Sequence, residues 1–224
     1  GNRDEPVILV VEDNDELRTY LMAELQGEFT VIGARDGREG LALALHKSPD
    51  LIISDILMSQ MTGTEMCKTI KADVKTSHIP VILLTAKASV EDQIAGIETG
   101  ADLYITKPFS MRFLLTHVRN IIESRQKLYA HFSHDVYLLP AKVATNEIDQ
   151  AFLQKAIDYI IDNIQEPQLS VDAIADLFNL SRMQVYRKIK ALTGKSVVDF
   201  IRTVRIKQAL KLMESQQYTL SEIA

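Results

Sequence analysis

Hydrophobic and polar residues over the first 125 positions follow two alternating periods. Short apolar runs rich in β-branched residues predict five strands, at 7–11, 30–34, 51–55, 81–85 and 103–106. Segments of helical period follow these runs and predict helices over about 14–26, 37–46, 63–72, 89–100 and 110–125. This (βα)5 order predicts an α/β fold with a doubly wound parallel sheet, since parallel strands are joined by helical crossovers.

From residue 126 onward the pattern changes. Hydrophobic periodicity weakens over 126–149, which predicts a linker, and every clearly periodic segment after it is helical. Ser170 and Ser181 stand where N-caps are expected, and Gly194 stands where a helix would end. The predicted helices lie over about 152–164, 171–178, 182–192 and 197–215. We therefore predict one domain over 1–125 and an all-α helix-turn-helix domain over 150–224.

The charge of the chain is unevenly distributed. The 224 residues carry a net charge of −5, with 13 Lys and Arg against 19 Asp and Glu over residues 1–125. Residues 182–211 instead contain nine basic residues against Asp199 alone. A basic block in an acidic protein is typical of a nucleic-acid surface, and a solvated helix face is the alternative interpretation.

Cysteine content and hydropathy indicate the cellular compartment to expect. Cys67 is the one cysteine, so an internal disulfide is excluded, and a packed thiol in a reducing cytoplasm is expected. No apolar stretch approaches the roughly 20 residues of a membrane span, so we expect a cytoplasmic location and no membrane contact from this segment. The chain begins with Gly rather than Met, which indicates a longer natural chain.

Polar side chains stand at the ends of four predicted strands. Glu12 and Asp13 follow the first strand, Asp55 ends the third, Thr85 ends the fourth and Lys107 follows the fifth. In an open parallel sheet these strand ends meet in one crevice. Three carboxylates, a hydroxyl and an ammonium can together bind a divalent cation and form an aspartyl phosphate.

Residues 5–125 resemble the receiver domain of bacterial response regulators. The matching segments occur in the expected order and spacing, at 11–14, 50–56, 61–63, 84–86 and 100–109. The resemblance implies a flavodoxin-like fold in which Asp55 accepts a phosphoryl group from a phosphohistidine. It also implies that the domain catalyses only its own phosphorylation and dephosphorylation, so the chain is not an enzyme with an external substrate.

The same resemblance assigns a role to each residue of the crevice. It implies a Mg²⁺ ion held by Glu12, Asp13, Asp55 and the Leu57 backbone carbonyl. Lys107 would pair with Asp55 and the phosphoryl oxygens, and Pro108 after it fits a cis peptide bond. Thr85 would contact the phosphoryl group and Tyr104 would be the aromatic switch. A haloacid dehalogenase-type phosphatase is disfavoured because it needs an acid where Leu57 stands.

Residues from about 150 onward resemble the DNA-binding region of AraC-type transcription regulators, through segments 169–175, 180–190, 193–196 and 200–206. Ile174, Leu177 and Leu180 are expected to pack against Val185, Ile189 and Leu192. The opposite face is predicted to enter the major groove with Arg182, Met183, Tyr186, Arg187 and Lys190. Arg187 is the first candidate for a base-edge contact, followed by Arg182 and Tyr186, and phosphate contacts are expected from Lys188, Lys190 and Lys195. For Met183, a thymine-methyl contact and a partly buried helix position both stay open.

AraC-type regions contain two helix-turn-helices, and the second, which opens near Tyr218, is incomplete here, so DNA affinity should be weak.

Taken together, these features predict a two-component response regulator with promoter DNA, a homodimer partner and a histidine kinase as partners. Residues 126–169 resemble the connecting region of Bacteroidetes hybrid two-component systems, which implies that the kinase belongs to the same natural chain, with a separate regulator as the other option. A phosphorelay or protein-interaction module without DNA output is the alternative function.

Overall fold

The computed structural model describes residues 5–86, 99–134, 146–166 and 169–214, with the backbone alone at 126–134 and 214. The chain divides into two compact units, residues 1–125 and 126–224. Among the described helices, none combines the length and the apolar character needed to cross a membrane.

The first unit contains a five-stranded parallel sheet with the order β2-β1-β3-β4-β5. The predicted parallel α/β sheet is therefore confirmed. The strands are β1 (Val7–Val11), β2 (Thr30–Ala34), β3 (Leu51–Asp55), β4 (Val81–Thr85) and β5 (Leu103–Thr106). The helices of this part of the chain are α1 (Asp15–Leu25), α2 (Gly37–Lys47), α3 (Gly63–Ala72) and α4 (Met111–His134).

Successive residues of the central strands point to two separate hydrophobic cores. Ile8 and Val10 of β1 pack in one core with residues of α1 and α4, and Leu9 and Val11 pack in the other with residues of α2 and α3. Because a strand has a side-chain period of two, helices on both faces bury every position of β1. The continuous apolar runs in the sequence have this physical origin.

Two sequence predictions differ from the structure or fall outside it. The helix predicted over 89–100 falls mostly on residues 87–98, outside the described residues, and residues 99–100 form a turn. The helix predicted to end near residue 125 instead continues to His134. This segment contains no Gly or Pro, so weak hydrophobic periodicity alone does not end the helix.

The second unit contains four described helices after residue 146, named α5 (Glu147–Asp162), α6 (Val171–Phe178), α7 (Arg182–Thr193) and α8 (Val197–Glu214). The linker predicted over 126–149 is therefore too long at both ends. Asn146 caps α5 by accepting a hydrogen bond from the Asp149 N–H. Ser170 and Ser181 cap α6 and α7 as predicted, and Gly194 (φ 70°) ends α7.

Helices α6 and α7 bury one face each. Ile174, Val185 and Ile189 are fully buried, and Leu180 and Leu192 are nearly so, whereas Leu177 is half-buried. Asn179 adopts a left-handed conformation (φ 52°) directly after α6, where it turns the chain toward α7. The apolar face predicted from helical spacing is therefore present, with Leu177 at its margin.

Candidate functional site

Three carboxylates converge at the carboxyl ends of β1 and β3. Glu12 and Asp13 directly follow β1, and Asp55 is the last residue of β3, which pairs with β1. One carboxylate oxygen from each of the three lies within 4.8 Å of the others. The sheet order reverses direction between these two strands, and such switch points are where open α/β sheets bind ligands.

Lys107 brings a positive charge to this cluster from the far side of β4. Its Nζ lies 2.9 Å from Asp55 Oδ1 and 3.1 Å from Glu12 Oε2. The backbone N–H of Lys107 donates to the Thr85 carbonyl at 2.7 Å, which anchors the residue at the end of β4. The Lys107–Pro108 peptide bond is cis. The lysine side chain thus spans the width of one strand to reach Asp55.

The electrostatics of the cluster favour a bound cation. Burial raises the pKa of Glu12 and the charge of Asp55 adds to this effect, so the pKa lies above 4.5 although the bond to Lys107 lowers it. Burial lowers the pKa of Lys107, but hydrogen bonds to Asp55 and Glu12 outweigh it and raise the pKa above 10.5. When ionised, the three carboxylates exceed the one ammonium in charge.

The donor set of the cluster fits Mg²⁺. Carboxylate oxygens are the hard ligands that Mg²⁺ takes from proteins, and the ion usually retains several waters. Glu12 is nearly buried, Asp55 is half-buried and Asp13 is exposed, so the group opens toward solvent on one side. Leu57, two residues after Asp55, is 63% exposed, and because its side chain carries no donor atom, only its backbone carbonyl could serve as a ligand.

Gly63 supports Asp55 from the first position of α3. A Cβ atom at this glycine would lie 2.0 Å from the Asp55 carbonyl oxygen. Any larger residue at this position would therefore require the backbone to shift. The Gly63 N–H donates to the Ile56 carbonyl at 3.0 Å. Sequence reasoning gave Gly63 no role, although its place directly after the cap residue Thr62 was a usable signal.

Thr85 and Tyr104 lie on the neighbouring strands, β4 and β5. Thr85 ends β4 and is half-buried, and Tyr104 pairs in register with Leu83. The Tyr104 hydroxyl is hydrogen-bonded to the hydroxyl of buried Thr99, a partner that the sequence did not reveal. Burial raises the pKa of Tyr104, while the bond to Thr99 lowers it.

Cys67 is a packed thiol, as predicted. It is fully buried in the core that lies against α2 and α3. Burial raises the pKa of its thiol to about 11. A thiolate is therefore disfavoured at neutral pH, and the residue belongs to the core rather than to the chemistry of the site.

Most of the predicted DNA-contacting residues lie on the exposed face of α7. Arg182, Met183, Tyr186 and Lys190 are exposed, and Arg187 is half-buried. Met183 is 56% exposed, so of its two readings the partly buried one is wrong. The Lys190 Nζ lies 5.8 Å from the centre of the Tyr186 ring. Lys195, in the turn after α7, is half-buried.

Lys188 does not lie on this face, and its predicted phosphate contact is wrong. Its side chain is fully buried and forms an ion pair with Asp149 of α5. Lys188 stands three residues after Val185 and four before Leu192, so helical spacing places it on the apolar side of α7. That spacing was readable in the sequence, but the basic residues around Lys188 obscured it.

Comparisons with known proteins agree with this geometry. The family model described as "Response regulator receiver domain" matches residues 8–119. Over 222 residues the chain is 38% identical to "Histidine kinase P4" of Formosa agariphila, covering 99% of this chain and 16% of that protein. It is 33% identical over 134 residues to the "DNA-binding dual master transcriptional regulator RpaA" of Synechocystis, covering 59% of this chain and 56% of that protein.

A solved structure supports the same conclusion for the first unit. The signal receiver domain of a signal transduction histidine kinase from Syntrophus aciditrophicus superposes with a TM-score of 0.51 and 36% identity, over 53% of this chain and 91% of that one. Receiver domains bind Mg²⁺ at an acidic site and interact with histidine kinases, and this chain has an acidic cluster formed by Glu12, Asp13 and Asp55. The chain belongs to the response regulator receiver domain family, and its fold and family place it in two-component signalling.

Proposed function

We propose that a histidine kinase transfers a phosphoryl group to Asp55 and that this modification controls DNA binding by the helical unit. The observation that carries the proposal is the position of Asp55. Its carboxylate lies 2.9 Å from the Lys107 ammonium and within 4.8 Å of two further carboxylates. Phosphoryl transfer to a carboxylate uses these groups together: a half-buried carboxylate, an ammonium, and acidic side chains that can bind a cation, all at the carboxyl ends of the strands.

The carboxylates of the site have two proposed roles, cation binding and attack on the phosphoryl group. Glu12, Asp13 and Asp55 would hold Mg²⁺ through carboxylate oxygens, and the Leu57 carbonyl would add another ligand. Mg²⁺ supplies positive charge between two anionic reactants when it is bound. An Asp55 carboxylate oxygen attacks the phosphorus, the O–P bond forms, and the P–N bond to the donor imidazole breaks.

Lys107 and Thr85 act on the transferred group. The Lys107 ammonium pairs with phosphoryl oxygens, and the Thr85 hydroxyl donates a hydrogen bond to another. As Thr85 moves toward the phosphoryl group, Tyr104 exchanges its hydroxyl contact with Thr99 for a new position. The domain acts on itself alone, and Leu57 offers no acid for the turnover of an external phosphate ester.

The proposed output is promoter DNA bound through α7 as an AraC-type helix-turn-helix. The exposed face of α7 combines Arg182, Met183, Tyr186 and Lys190, which suit base edges and phosphates of the major groove. The name of the Synechocystis relative states that it binds DNA. Lys188 is not part of this face. A homodimer would bring two such faces to one DNA site. Because the proposed partners are DNA and a histidine kinase, we propose that the protein acts in the cytoplasm.

The natural chain is proposed to be a hybrid histidine kinase. The similarity to the Formosa protein, which is named a histidine kinase, extends over both units and not over the receiver alone. A phosphorelay without DNA output is the second candidate, favoured by that same kinase name. Salt-dependent DNA binding separates the two, because a relay needs no contact with phosphates of DNA.

Intact-mass measurement with a small-molecule phosphodonor tests the first half of the proposal. The wild-type chain should gain one phosphoryl group when Mg²⁺ is present and none when it is removed. Asp55→Asn should abolish the gain, whereas Asp36→Asn should retain it, since Asn caps α2 as well as Asp does. Undiminished labelling of Asp55→Asn would remove this residue from the acceptor role.

Binding of random-sequence duplex DNA at several salt concentrations tests the second half. Lys190→Ala should reduce the salt slope by about 0.9 if Lys190 contacts one phosphate. Lys155→Ala removes a lysine from the exposed side of α5 and serves as the matched control. Equal slopes for wild type and both variants would contradict the DNA interface on α7.

A further inference from the structure

The second unit contains an ion pair that is closed to solvent. Lys188 of α7 and Asp149 of α5 are each 0% exposed, and the Lys188 ammonium contacts Asp149 Oδ1. A charged pair taken completely out of water gives little net stability, because desolvation offsets its attraction. This ion pair is therefore better suited to fixing the orientation of the two helices than to adding stability.

Asp149 is also hydrogen-bonded to the cap residue of its own helix. Its N–H donates to the Asn146 Oδ1 at 2.8 Å, and the Asn146 Nδ2 donates to Asp149 Oδ2 at 2.8 Å. The carboxylate lies in the first turn of α5, where the helix dipole favours a negative charge. The Oδ2 oxygen accepts a hydrogen bond from the cap residue Asn146, and the Oδ1 oxygen contacts the Lys188 ammonium.

One aromatic ring lies beside the ammonium, and a second ring packed on the first links a third helix to the ion pair. The Lys188 Nζ lies 5.1 Å from the centre of the buried Phe152 ring of α5. The Phe152 ring in turn packs on Phe178, the last residue of α6, with 4.3 Å between centroids. Helix α5 therefore contacts both α6 and α7 at the point where the ion pair lies.

Lys188 lies on the side of α7 opposite to the exposed face. At about 100° per residue, its position is roughly half a turn around the helix from Tyr186 and Lys190. A rotation of α7 that changed the exposed face would withdraw the ammonium from Asp149. The two buried charges would then lose their contact with each other, so the ion pair favours a single rotational setting of α7.

We propose that the Asp149–Lys188 ion pair is a positioning contact that sets the rotation of α7 and thereby the side chains presented to DNA. This inference rests on the proposed DNA-binding function. An apolar pair of similar volume would fill the same space and keep the unit folded, but it would hold α7 by packing alone. The charged pair adds a directional contact that packing lacks.

The double variant Asp149→Leu/Lys188→Met in the full chain tests the proposal. The probes are a duplex enriched by the wild-type chain from a random-sequence library, and random duplex. The ratio of the two affinities should fall about tenfold, comparable to the loss of one base contact. Affinity for random duplex should stay unchanged, and the backbone amides of α7 should exchange hydrogen faster. An unchanged ratio together with unchanged exchange would overturn the positioning role.

The control Lys190→Ala should weaken binding to both duplexes alike, since a phosphate contact carries no sequence information. If the wild-type chain enriches no duplex, the proposed DNA-binding function fails, and the exchange of α7 amides then decides the positioning role alone. If the double variant does not fold, Asp149→Glu replaces it, because it keeps the charge and moves the carboxylate by one methylene. An affinity ratio equal to wild type in Asp149→Glu would then overturn the inference.

Discussion

Lys107 of the first unit and Lys188 of the second are both ion-paired lysines, but they differ in their access to water. The Lys107 side chain is 24% exposed and shares its ammonium between Asp55 and Glu12. The Lys188 side chain is 1% exposed and pairs with Asp149. The open ion pair of Lys107 is accessible to a ligand that could replace one of its partners, whereas separating Lys188 from Asp149 would leave charge in a buried environment.

The difference follows from where each lysine stands in its element. Lys107 follows a strand, and its side chain leaves the sheet at the edge where ligands enter. Lys188 lies in the middle of a helix, where rotation about the axis alone decides between solvent and core. The two lysines therefore differ in exposure because Lys107 lies at the edge of the sheet and Lys188 lies on the apolar side of its helix.

The largest expected effect comes from breaking the closed pair. Lys188→Ala leaves the buried Asp149 carboxylate without a cation, so the free energy of unfolding of the second unit should fall by about 3–5 kcal/mol. Lys190→Ala on the exposed face should change it by less than about 0.5 kcal/mol. Thermal or denaturant unfolding measures both, and equal effects would show that Lys188 is not buried in solution.

Addition of Mg²⁺ tests whether the open cluster binds a ligand. At 100 times its dissociation constant, Mg²⁺ should raise the free energy of unfolding of the first unit by about 2.7 kcal/mol, because it binds the folded state alone. Asp13→Asn should weaken this stabilisation without moving the transition of the second unit. NaCl at matched ionic strength is the control, and an equal effect of NaCl would argue against a site.

A smaller effect is expected from the pH dependence of the first unit. The pKa of Glu12 in the folded chain lies above 4.5, so folding favours its protonated form. This contribution to stability is fully present below pH 4.5 and is lost as the pH rises through the folded pKa. Glu12→Gln lacks the titrating group, so unfolding of wild type and variant should diverge as the pH rises. Parallel curves would mean that Glu12 is not desolvated.

The smallest effect on stability is expected for an exposed ion pair. The Arg182 Nε lies 2.7 Å from Asp172 Oδ1, but both side chains are largely in water. Arg182→Ala should therefore cost less than about 0.5 kcal/mol of unfolding free energy while lowering DNA affinity. Asp172→Ala should be as mild for stability and should leave DNA affinity unreduced. A large loss of stability in Arg182→Ala would instead mean that the Arg182–Asp172 ion pair is buried like the Asp149–Lys188 pair.

The extent to which the sequence predicted the site differs between the units. The positions of Glu12, Asp13 and Asp55 followed from apolar runs that end in acids, because strand ends of a parallel sheet share one edge. The support from Gly63 and the contact between Tyr104 and Thr99 did not follow. Both depend on distances between segments that hydrophobic periodicity does not report.

The end of α4 shows a second limit. The pattern predicted a linker from residue 126, yet the helix continues to His134. Apolar spacing reports which helical face is covered, but it does not by itself mark the residue at which a helix ends. The ends of α6 and α7 were predictable because Ser170, Ser181 and Gly194 act locally, through hydrogen bonds and backbone conformation within one turn.

The amino-acid sequence by itself determined the order of strands and helices, the capped helix ends and the polar groups at the sheet edge. These features depend on side-chain period and on contacts within a few residues, so they can be read along the chain. Tertiary structure alone decided that Lys188 pairs with Asp149 and that Thr99 contacts Tyr104. Helical spacing places Lys188 on the apolar side of α7, but only the packing of α5 against α7 supplies Asp149 as its partner.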